Sequence, residues 1–339
     1  MKKIYAPLSA ATLLLAAGNI YADSDLKLYG KANVSLNQAD YESTGEDEWQ
    51  LNSNASRLGV KGYADINDNL KAIYKMEFEV FVDDGNDGKD NAFKQRNIFV
   101  GLEGNLGRII AGKHDTPLKL AQGKIDRFND LPNGDIKNIL PGENRVDNIV
   151  MYTTPNMDGF TATAAIIPGE DSEDNGKDDS LADGKSMSLN FNNDTVTAAF
   201  AVEQDITSKI IDEKLEMDII RAAVDVKLGI FKVGALYQTA EATVSGDDLD
   251  ADSFVLSTEA SVGADFILKA QYGMTEFDVS GDPELTQIAL GVDKKLNKNT
   301  KLYAYYSTIE SDSITIEVNG VDINDPEDAT FGLGAEFKF

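Results

Sequence analysis

The sequence is short of cysteine, histidine and proline, with no Cys, one His and eight Pro among its 339 residues. Without cysteine, neither disulfides nor thiolate metal sites can form. One histidine is too few for the zinc sites and catalytic pairs that are built from several imidazoles. No segment after the N-terminus approaches the run of about 20 apolar residues that a membrane helix requires. We therefore expect no metal and no cofactor, and one large unit without a proline-rich linker.

Positive charge is also scarce, since 31 Lys and Arg stand against 58 Asp and Glu and the formal net charge is −27. Proteins bind nucleic acids through clusters of basic side chains that neutralise the phosphates. A chain with this excess of acids repels nucleic acid, so the composition excludes nucleic acid as a partner.

The first 22 residues have the three parts of a secretory signal peptide. The basic start MKK precedes the apolar stretch LLLAAG, which is too short to span a bilayer, and the sequence IYA supplies a small residue for cleavage. We predict cleavage after Ala22 and a mature chain, residues 23–339, that has crossed the inner membrane. The alternative is a retained N-terminal anchor, but the basic flank that would stop transfer is missing.

Alternating apolar and polar residues fill most of the mature chain. In the last segment, Phe331, Leu333, Ala335, Phe337 and Phe339 occupy every second position. This period-two pattern is typical of strands with one apolar and one polar face. In the fourth segment both faces are apolar, so the pattern leaves the orientation of that strand open. About sixteen such segments lie near residues 26–36, 57–66, 70–82, 93–103, 107–114, 145–154, 159–167, 185–191, 195–203, 218–228, 230–240, 252–262, 265–275, 285–294, 300–309 and 329–339.

The connections between these segments alternate in length. Tight corners, such as those at Gly229 and Gly263, alternate with long acidic loops, such as residues 37–50 and 168–184. Short turns at one rim and long loops at the other are typical of an up-and-down transmembrane β-barrel. Lipid offers no hydrogen bonds, so a sheet that spans a membrane must close on itself. About sixteen strands enclose a lumen that is too wide for side chains to fill, which leaves an aqueous channel.

Two soluble β-sandwiches are the alternative fold, because antiparallel strands in soluble proteins alternate in the same way. The polar face of these segments disfavours that alternative. It is rich in Lys, Glu, Asn and Ser, whereas the inner faces of two packed sheets bury large aliphatic side chains more uniformly.

Several segments make the sequence resemble the Gram-negative general porins. They are LYGKANVSL, SRLGVKGYADINDNLKAIYKMEFE, GLEGNLGRIIAGKHDTPL, NRVDNIVMYTTPNMDGFTATAAI and the terminal FGLGAEFKF. The resemblance runs from residue 26 to residue 339, and between 168 and 320 only the rhythm of the strands supports it. It implies a sixteen-stranded antiparallel transmembrane barrel with short periplasmic turns, long extracellular loops and a third loop that folds inward.

The resemblance also implies function, location and partners. The expected function is passive diffusion of small hydrophilic solutes and ions through the outer membrane of a Gram-negative bacterium. The expected partners are two further copies in a homotrimer, outer-membrane lipid and lipopolysaccharide. The terminal Phe339 is similar to the signal that the barrel-assembly machinery reads during insertion.

The porin resemblance assigns two sets of charged residues to a constriction of the pore. A basic ladder on the barrel wall is implied at Lys31, Arg57, Arg96 and Arg145. Acids of the third loop, roughly residues 115–144, are implied to face that ladder. These acids are Asp126, Asp130, Asp135 and Glu143. The loop lacks the Glu-Phe-Gly-Gly turn of enterobacterial porins and carries four basic residues, so the sequence leaves open which acids face the pore.

The large acid excess of the loops predicts a negative vestibule and therefore a weak preference for cations. The alternatives are a channel selective for sugars, phosphate or peptides, which Tyr303 and Tyr305 leave open, and a surface adhesin with a plugged barrel. A less favoured alternative is a barrel enzyme with His114 as a general base. No GxSxG-type elbow accompanies that histidine, so we predict no catalytic residues.

A calcium site is rejected at DDGNDG, which begins at Asp83. Gly85 occupies the third ligand position of that segment and Lys94 the twelfth, where calcium loops require an oxygen ligand and a glutamate. We therefore predict no metal site.

Overall fold

The computed structural model describes residues 24–41, 46–85, 91–169, 180–210, 213–244, 247–278, 283–311, 316–318, 321–323 and 328–339. The predicted signal peptide, residues 1–22, lies outside the described residues, and its cleavage stays a prediction. Within the described ranges, no helix has the length and hydropathy that a membrane crossing requires.

Strands make up most of the described chain. We number them β1 to β19 in chain order. Their bounds are Ser24–Tyr41, Glu46–Ser53, Arg57–Asn67, Leu70–Val80, Phe93–Gly104, Gly107–Asp115, Arg145–Thr153, Phe160–Ile167, Gly184–Asn192, Val196–Ile210, Glu213–Leu228, Phe231–Val244, Asp247–Val262, Phe266–Asp278, Glu284–Lys295, Thr300–Ser311, Ile316–Val318, Val321–Ile323 and Asp328–Lys338. One short helix, α1 (Pro117–Ala121), and a 3-10 turn at Ile136–Asn138 lie between β6 and β7.

Seventeen of these strands form one closed antiparallel sheet. The last strand, β19, pairs with β16 on one side and with β1 on the other, which closes the ring. β1 pairs with β3 along its first half and with β2 along its second, so β2 and β3 are two parts of one barrel strand that is interrupted at residues 54–56. The barrel therefore has sixteen strands, and the predicted fold class is confirmed.

The alternation predicts correctly which side chains point outward. On β19, Phe331, Leu333 and Phe337 are exposed on the outer face, while Thr330 faces inward and is buried. The orientation of the fourth barrel strand, β5, is decided only by the structure. Phe99 of that strand is buried inside the barrel, and the next residue, Val100, is 62% exposed on the outside.

One predicted loop is wrong. Residues 37–50, interpreted as a long acidic loop, are mostly strand, because β1 runs to Tyr41 and β2 begins at Glu46. Register pairs such as Leu36 with Leu51 and Gln38 with Trp49 extend the sheet into this segment. The acidic side chains of this segment suggested a loop. They do not prevent β-pairing, because the hydrogen bonds of a sheet join only backbone groups.

The third loop, residues 116–144, occupies part of the lumen. Its buried apolar side chains pack on the inward side chains of β10 to β16 and form the largest apolar cluster of the barrel. The members of this cluster from the loop are Leu118, Ala121, Ile125, Ile136, Ile139 and Leu140. The loop therefore covers one part of the wall. The opposite part, on β1 and β3 to β7, borders a cavity of about 580 Å³ and also holds a smaller buried apolar cluster that includes Phe99, Ile110 and Ile149.

A charged neck between the third loop and the barrel wall

The inner face of β11 to β16, which we call the loop wall, holds the third loop through a buried arginine. Arg221 is 0% exposed. Its Nη1 lies 2.7 Å from Oε1 of Glu143 and donates to the carbonyl oxygen of Leu118 at 3.2 Å. Its Nη2 donates to the carbonyl oxygen of Pro141 at 3.2 Å, and its Nε donates to Oε1 of Gln238 at 2.8 Å. One guanidinium thus joins both ends of the loop to the wall.

Glutamine amides of the loop wall satisfy further backbone groups of the loop. Gln238 Nε2 donates to the carbonyl oxygen of Pro141 at 2.9 Å, and Gln271 Nε2 donates to that of Gly134 at 2.9 Å. Gln287 Nε2 donates to the carbonyl oxygens of Asn133 and Asp135 at 2.8 and 3.0 Å. Buried carbonyls need such partners, so these contacts fix the path of a segment with little secondary structure.

The opposite side of the lumen, the inner face of β1 and β3 to β7, carries the basic ladder and is called here the charged wall. Lys31 on β1 lies directly opposite Arg57 on β3 in the strand register. Both cations contact the tip of the third loop. Oδ2 of Asp130 lies 2.7 Å from Nζ of Lys31 and 3.0 Å from Nη2 of Arg57. This three-residue latch joins the loop tip to the charged wall.

Two glutamates of β4 hold the next cation of the ladder. Arg96 donates from Nε to Glu77 at 3.1 Å and from Nη1 to Glu79 at 3.1 Å. Glu77 also accepts a hydrogen bond from the Tyr29 hydroxyl at 2.8 Å, and Nζ of Lys75 lies 3.3 Å away. No role was assigned to these two glutamates from the sequence.

The last ladder residue, Arg145, lies at the start of β7. Its Nη2 is 3.0 Å from Oδ1 of Asp115, and its Nε donates to Oδ1 of Asn97 at 2.7 Å. Lys119 of the loop lies 3.4 Å from the same Asp115 oxygen. The structure therefore brings the four ladder cations to one wall, and each has a carboxylate partner. Their effect on conduction stays a prediction.

Of the four loop acids, only Asp130 contacts the ladder. Its backbone lies in the left-handed region at φ 69°, and its N–H donates to Oδ2 of Asp135 at 3.0 Å. Burial alone would raise the pKa of Asp130, but the neighbouring Lys31 and Arg57 outweigh burial and hold its pKa below the usual value. This carboxylate is therefore ionised wherever the ladder is charged.

The other three loop acids stabilise the loop itself. Asp126 accepts hydrogen bonds from the N–H groups of Phe128 and Ile136, and burial followed by the charge of Asp135 raises its pKa well above the usual value. Asp135 caps the 3-10 turn. Glu143 binds Arg221, as described above, and burial raises its pKa although the arginine opposes the shift.

The interruption between β2 and β3 positions Arg57. Asn54 is buried there, and its Nδ2 donates to the Ser35 hydroxyl at 2.8 Å and to the Tyr303 hydroxyl at 3.0 Å.

Tyr303 and Tyr305 are only 6% and 2% exposed, because the third loop covers them. They are thus unavailable as an aromatic path for sugars, the possibility that the sequence left open.

His114, the candidate general base, is buried against Phe99 with ring centroids 5.3 Å apart. Its Nδ1 lies 2.8 Å from the carbonyl oxygen of Asp115. No serine or threonine hydroxyl forms a hydrogen bond with this imidazole within the described part of the chain. Across the same ranges, no three His, Asp or Glu side chains cluster as metal ligands would.

Two cavities lie on either side of one edge of the third loop, formed by Gln122, Gly123 and Asn129. One of about 580 Å³ borders the charged wall, and one of about 450 Å³ borders the loop wall. Both are lined by Gln122, Gly123 and Asn129, which mark the narrow edge between them. Seven Lys or Arg and five Asp or Glu line the first cavity, and five and three line the second. The lining is thus positive overall although the chain is strongly negative.

The comparisons with known proteins agree with this architecture. Residues 9–313 match the family of Gram-negative porins. The chain belongs to the Gram-negative porin family. Outer membrane porin protein 32 of Delftia acidovorans is 28% identical over 330 residues, which cover 93% of each chain. The major outer membrane protein P.IB of Neisseria sicca is 28% identical over 228 residues, which are 62% of this porin and 61% of that protein.

Solved porin structures share the fold. The anion-selective porin from Comamonas acidovorans superposes with a TM-score of 0.77 at 24% identity, over 94% of this porin and 100% of that chain. A loop-deletion mutant of OmpT, an outer membrane protein of Vibrio cholerae, gives a TM-score of 0.70 at 19% identity, over 93% and 99%. Together with the family match, the shared fold identifies this porin as an outer-membrane channel protein.

Proposed function

We propose that this porin is a general diffusion channel for small hydrophilic solutes. We also propose that anions are preferred at its neck, the passage between the third loop and the charged wall that Lys31, Arg57 and Asp130 border. The preference for anions is supported by the excess of Lys and Arg over Asp and Glu in the cavities on both sides of the loop edge. The sequence predicts the opposite preference, because it can count acids but cannot place them. Charges act over about 8 Å at physiological ionic strength, so residues that line the path outweigh acids elsewhere on the molecule.

We infer that the preference is moderate. Each ladder cation has a carboxylate within 3.1 Å, as given above, so much of its field is compensated locally. Opposed charges across a narrow neck still orient polar solutes, while apolar solutes would have to displace ordered water. One solved relative carries the description anion-selective porin, in accord with the proposed sign.

The proposal includes the assembly expected from the family. We propose a homotrimer that contacts outer-membrane lipid and lipopolysaccharide. We also propose that the exposed Phe339 is read by the barrel-assembly machinery. The ring of Phe339 lies over Gly30, where an added Cβ would be 2.3 Å from a ring carbon, and its backbone pairs with Gly30. The last residue is therefore held in the barrel seam with its aromatic side chain facing outward.

Single-channel recording in a salt gradient tests this function. We expect open channels whose currents reverse at a potential that favours chloride over potassium. Arg57→Gln combined with Arg145→Gln should move the reversal potential toward cation preference. A wild-type channel that favours potassium would overturn the proposed sign, and a folded barrel without current would overturn the diffusion channel. Chemical crosslinking of the native membrane tests the trimer.

A further inference from the structure

A third cavity, of about 450 Å³, lies in the lumen on the short-turn side of the neck. Inward side chains near the beginnings of β1, β4 and β6 line it, together with the middle of β3. Its charge is one-sided, with five basic residues against two acids. The five basic residues are Lys27, Lys61, Lys71, Lys75 and Arg108.

Three of these lysines form a row across adjacent strands. In the sheet register Lys27 lies directly opposite Lys61, and Lys61 lies directly opposite Lys75. Neighbouring strands are about 4.8 Å apart, and like charges placed directly opposite each other destabilise a sheet. The arrangement therefore needs negative charge to compensate it.

The protein supplies that compensation at the two ends of the row and leaves the middle without it. Lys27 lies 3.0 Å from Asp25, and Lys75 lies 3.3 Å from Glu77. Among the described residues, Lys61 has no carboxylate within 4 Å. Its ammonium lies 5.2 Å from the ring centroid of Tyr29, a contact that holds the side chain in place but does not neutralise it.

A second cation in the same cavity is also without a carboxylate partner. Arg108 lies opposite Glu103 in the register, but no carboxylate oxygen of the described chain is within 4 Å of its guanidinium. Glu103 instead lies 3.8 Å from Lys71. The cavity thus contains two basic groups whose counter-charge must come from solution.

We infer that this cavity is an anion subsite that binds the phosphoryl group of small solutes in its dianionic form. The three opposed lysines suit a group with several charged oxygens, because each ammonium donates to phosphate as a point charge. The volume holds more than an inorganic ion, so phosphate esters and free phosphate are both candidates. Lys61 lies four residues along β3 from Arg57, about 13 Å, so the subsite is separate from the neck.

This inference rests on the proposed anion channel and extends it. A solute that has passed the neck would next meet the subsite, and a bound dianion there would slow the passage of chloride. Inorganic phosphate or glycerol 3-phosphate at a pH of about 8, where the phosphoryl group is doubly charged, should therefore reduce the chloride current. Glycerol, which lacks the phosphoryl group, should not reduce it.

The matched variants are Lys61→Gln and Lys294→Gln. Both remove one positive charge, but Lys294 faces outward and pairs with Asp265 at 3.0 Å. Loss of one partly exposed charge contact should weaken the block by phosphate about fivefold in Lys61→Gln. Lys294→Gln should block like the wild type. Arg108→Gln should weaken the block in the same direction.

The outcomes separate the two proposals. Block that is unchanged in Lys61→Gln, or weakened equally in Lys294→Gln, would overturn the subsite even if the channel prefers chloride. A reversal potential that favours potassium would overturn the anion channel on which the subsite rests. Block by glycerol 3-phosphate but not by inorganic phosphate would assign the site to phosphate esters, and equal block by both would assign it to the phosphoryl group alone.

Discussion

The charged wall and the loop wall belong to one closed sheet, yet their inner faces differ. On the charged wall many inward residues are charged, and several of them, such as Arg57 and Arg96, line a cavity of about 580 Å³. On the loop wall many inward residues are apolar and dry, such as Met217, Leu236 and Phe277. The difference shows that alternation predicts which face of the sheet a side chain is on, whereas its packing partners decide whether it is exposed to water. On the loop wall those partners come largely from the third loop.

The outer face of the loop wall carries part of the acid excess. Near the long-loop end of β11 to β14, acids lie directly opposite one another in the register, in the order Asp218, Glu241, Asp250 and Asp278. No Lys or Arg lines the groove that these acids border, within the described ranges. Part of the acid excess of the chain thus lies outside the lumen, where it cannot set the charge of the neck.

The largest effect is expected from breaking the attachment of the loop wall. Arg221→Met would leave Glu143 buried without its guanidinium partner and the Leu118 carbonyl without its arginine donor, while the Pro141 carbonyl would keep only Gln238. Loss of one partner of a buried pair costs about 3–5 kcal/mol, here against the docking of the loop. We expect higher single-channel conductance, more current noise and protease cleavage within residues 116–144.

Arg57→Met is the control on the charged wall for that experiment. It removes a partly exposed arginine from the neck, so it should change selectivity while the loop stays protected from protease. If Arg221→Met were as resistant to cleavage as the wild type, the buried arginine would not be the anchor of the loop.

A smaller effect is expected from releasing the loop tip. Asp130→Asn would remove the carboxylate that compensates Lys31 and Arg57, so the neck would become more positive. We expect the permeability ratio of chloride to potassium to rise about twofold, measured as a shift of the reversal potential. An unchanged ratio would contradict the placement of Asp130 in the conducting path.

The lowered pKa of Asp130 fixes the sign of the pH dependence of this latch. The ionised Asp130 carboxylate contributes its full stabilisation above the pKa of an unfolded aspartate, about 3.9. That stabilisation is lost only as the pH falls further, through the lower pKa that Asp130 has in the folded protein. The selectivity difference between wild type and Asp130→Asn should therefore persist through mildly acidic conditions.

The smallest effect is expected on the outer acidic row. Asp250→Asn removes the same charge as Asp130→Asn, but from a residue that faces outward. Relief of repulsion from its cross-strand neighbours should stabilise the barrel by roughly 0.2–1 kcal/mol, seen as slightly later unfolding on heating in detergent. The reversal potential should not move, and a shift as large as that of Asp130→Asn would contradict the dominance of the lumen lining.

Much of the fold could be predicted because alternation is local. The sixteen segments and most outward faces follow from residue types at every second position, since strand geometry points neighbours to opposite sides. The position of the third loop came from the porin resemblance. The strand hidden in residues 37–50 could not be found in this way, because its acids resemble those of a loop. The orientation of Phe99 was equally undecided, since both faces of its strand are apolar.

The site was predictable only in part. The resemblance pointed to Lys31, Arg57, Arg96 and Arg145, and the fold brings them to one wall. Sequence could not distinguish Asp130, which contacts the ladder, from the other loop acids, because that choice depends on how the loop folds. Glu77 and Arg221 were missed since their roles come from partners 19 and 78 positions away in the chain.

The sequence by itself determined the barrel, its strand number and the side of the sheet on which most residues lie, because backbone geometry and the exclusion of unpaired polar groups from lipid leave few other solutions. Tertiary structure alone decided which acids neutralise which cations, which inner surface stays dry and what sign of charge lines the channel. Electrostatic effects depend on distance and burial. Neither can be read from a count of charges along the chain.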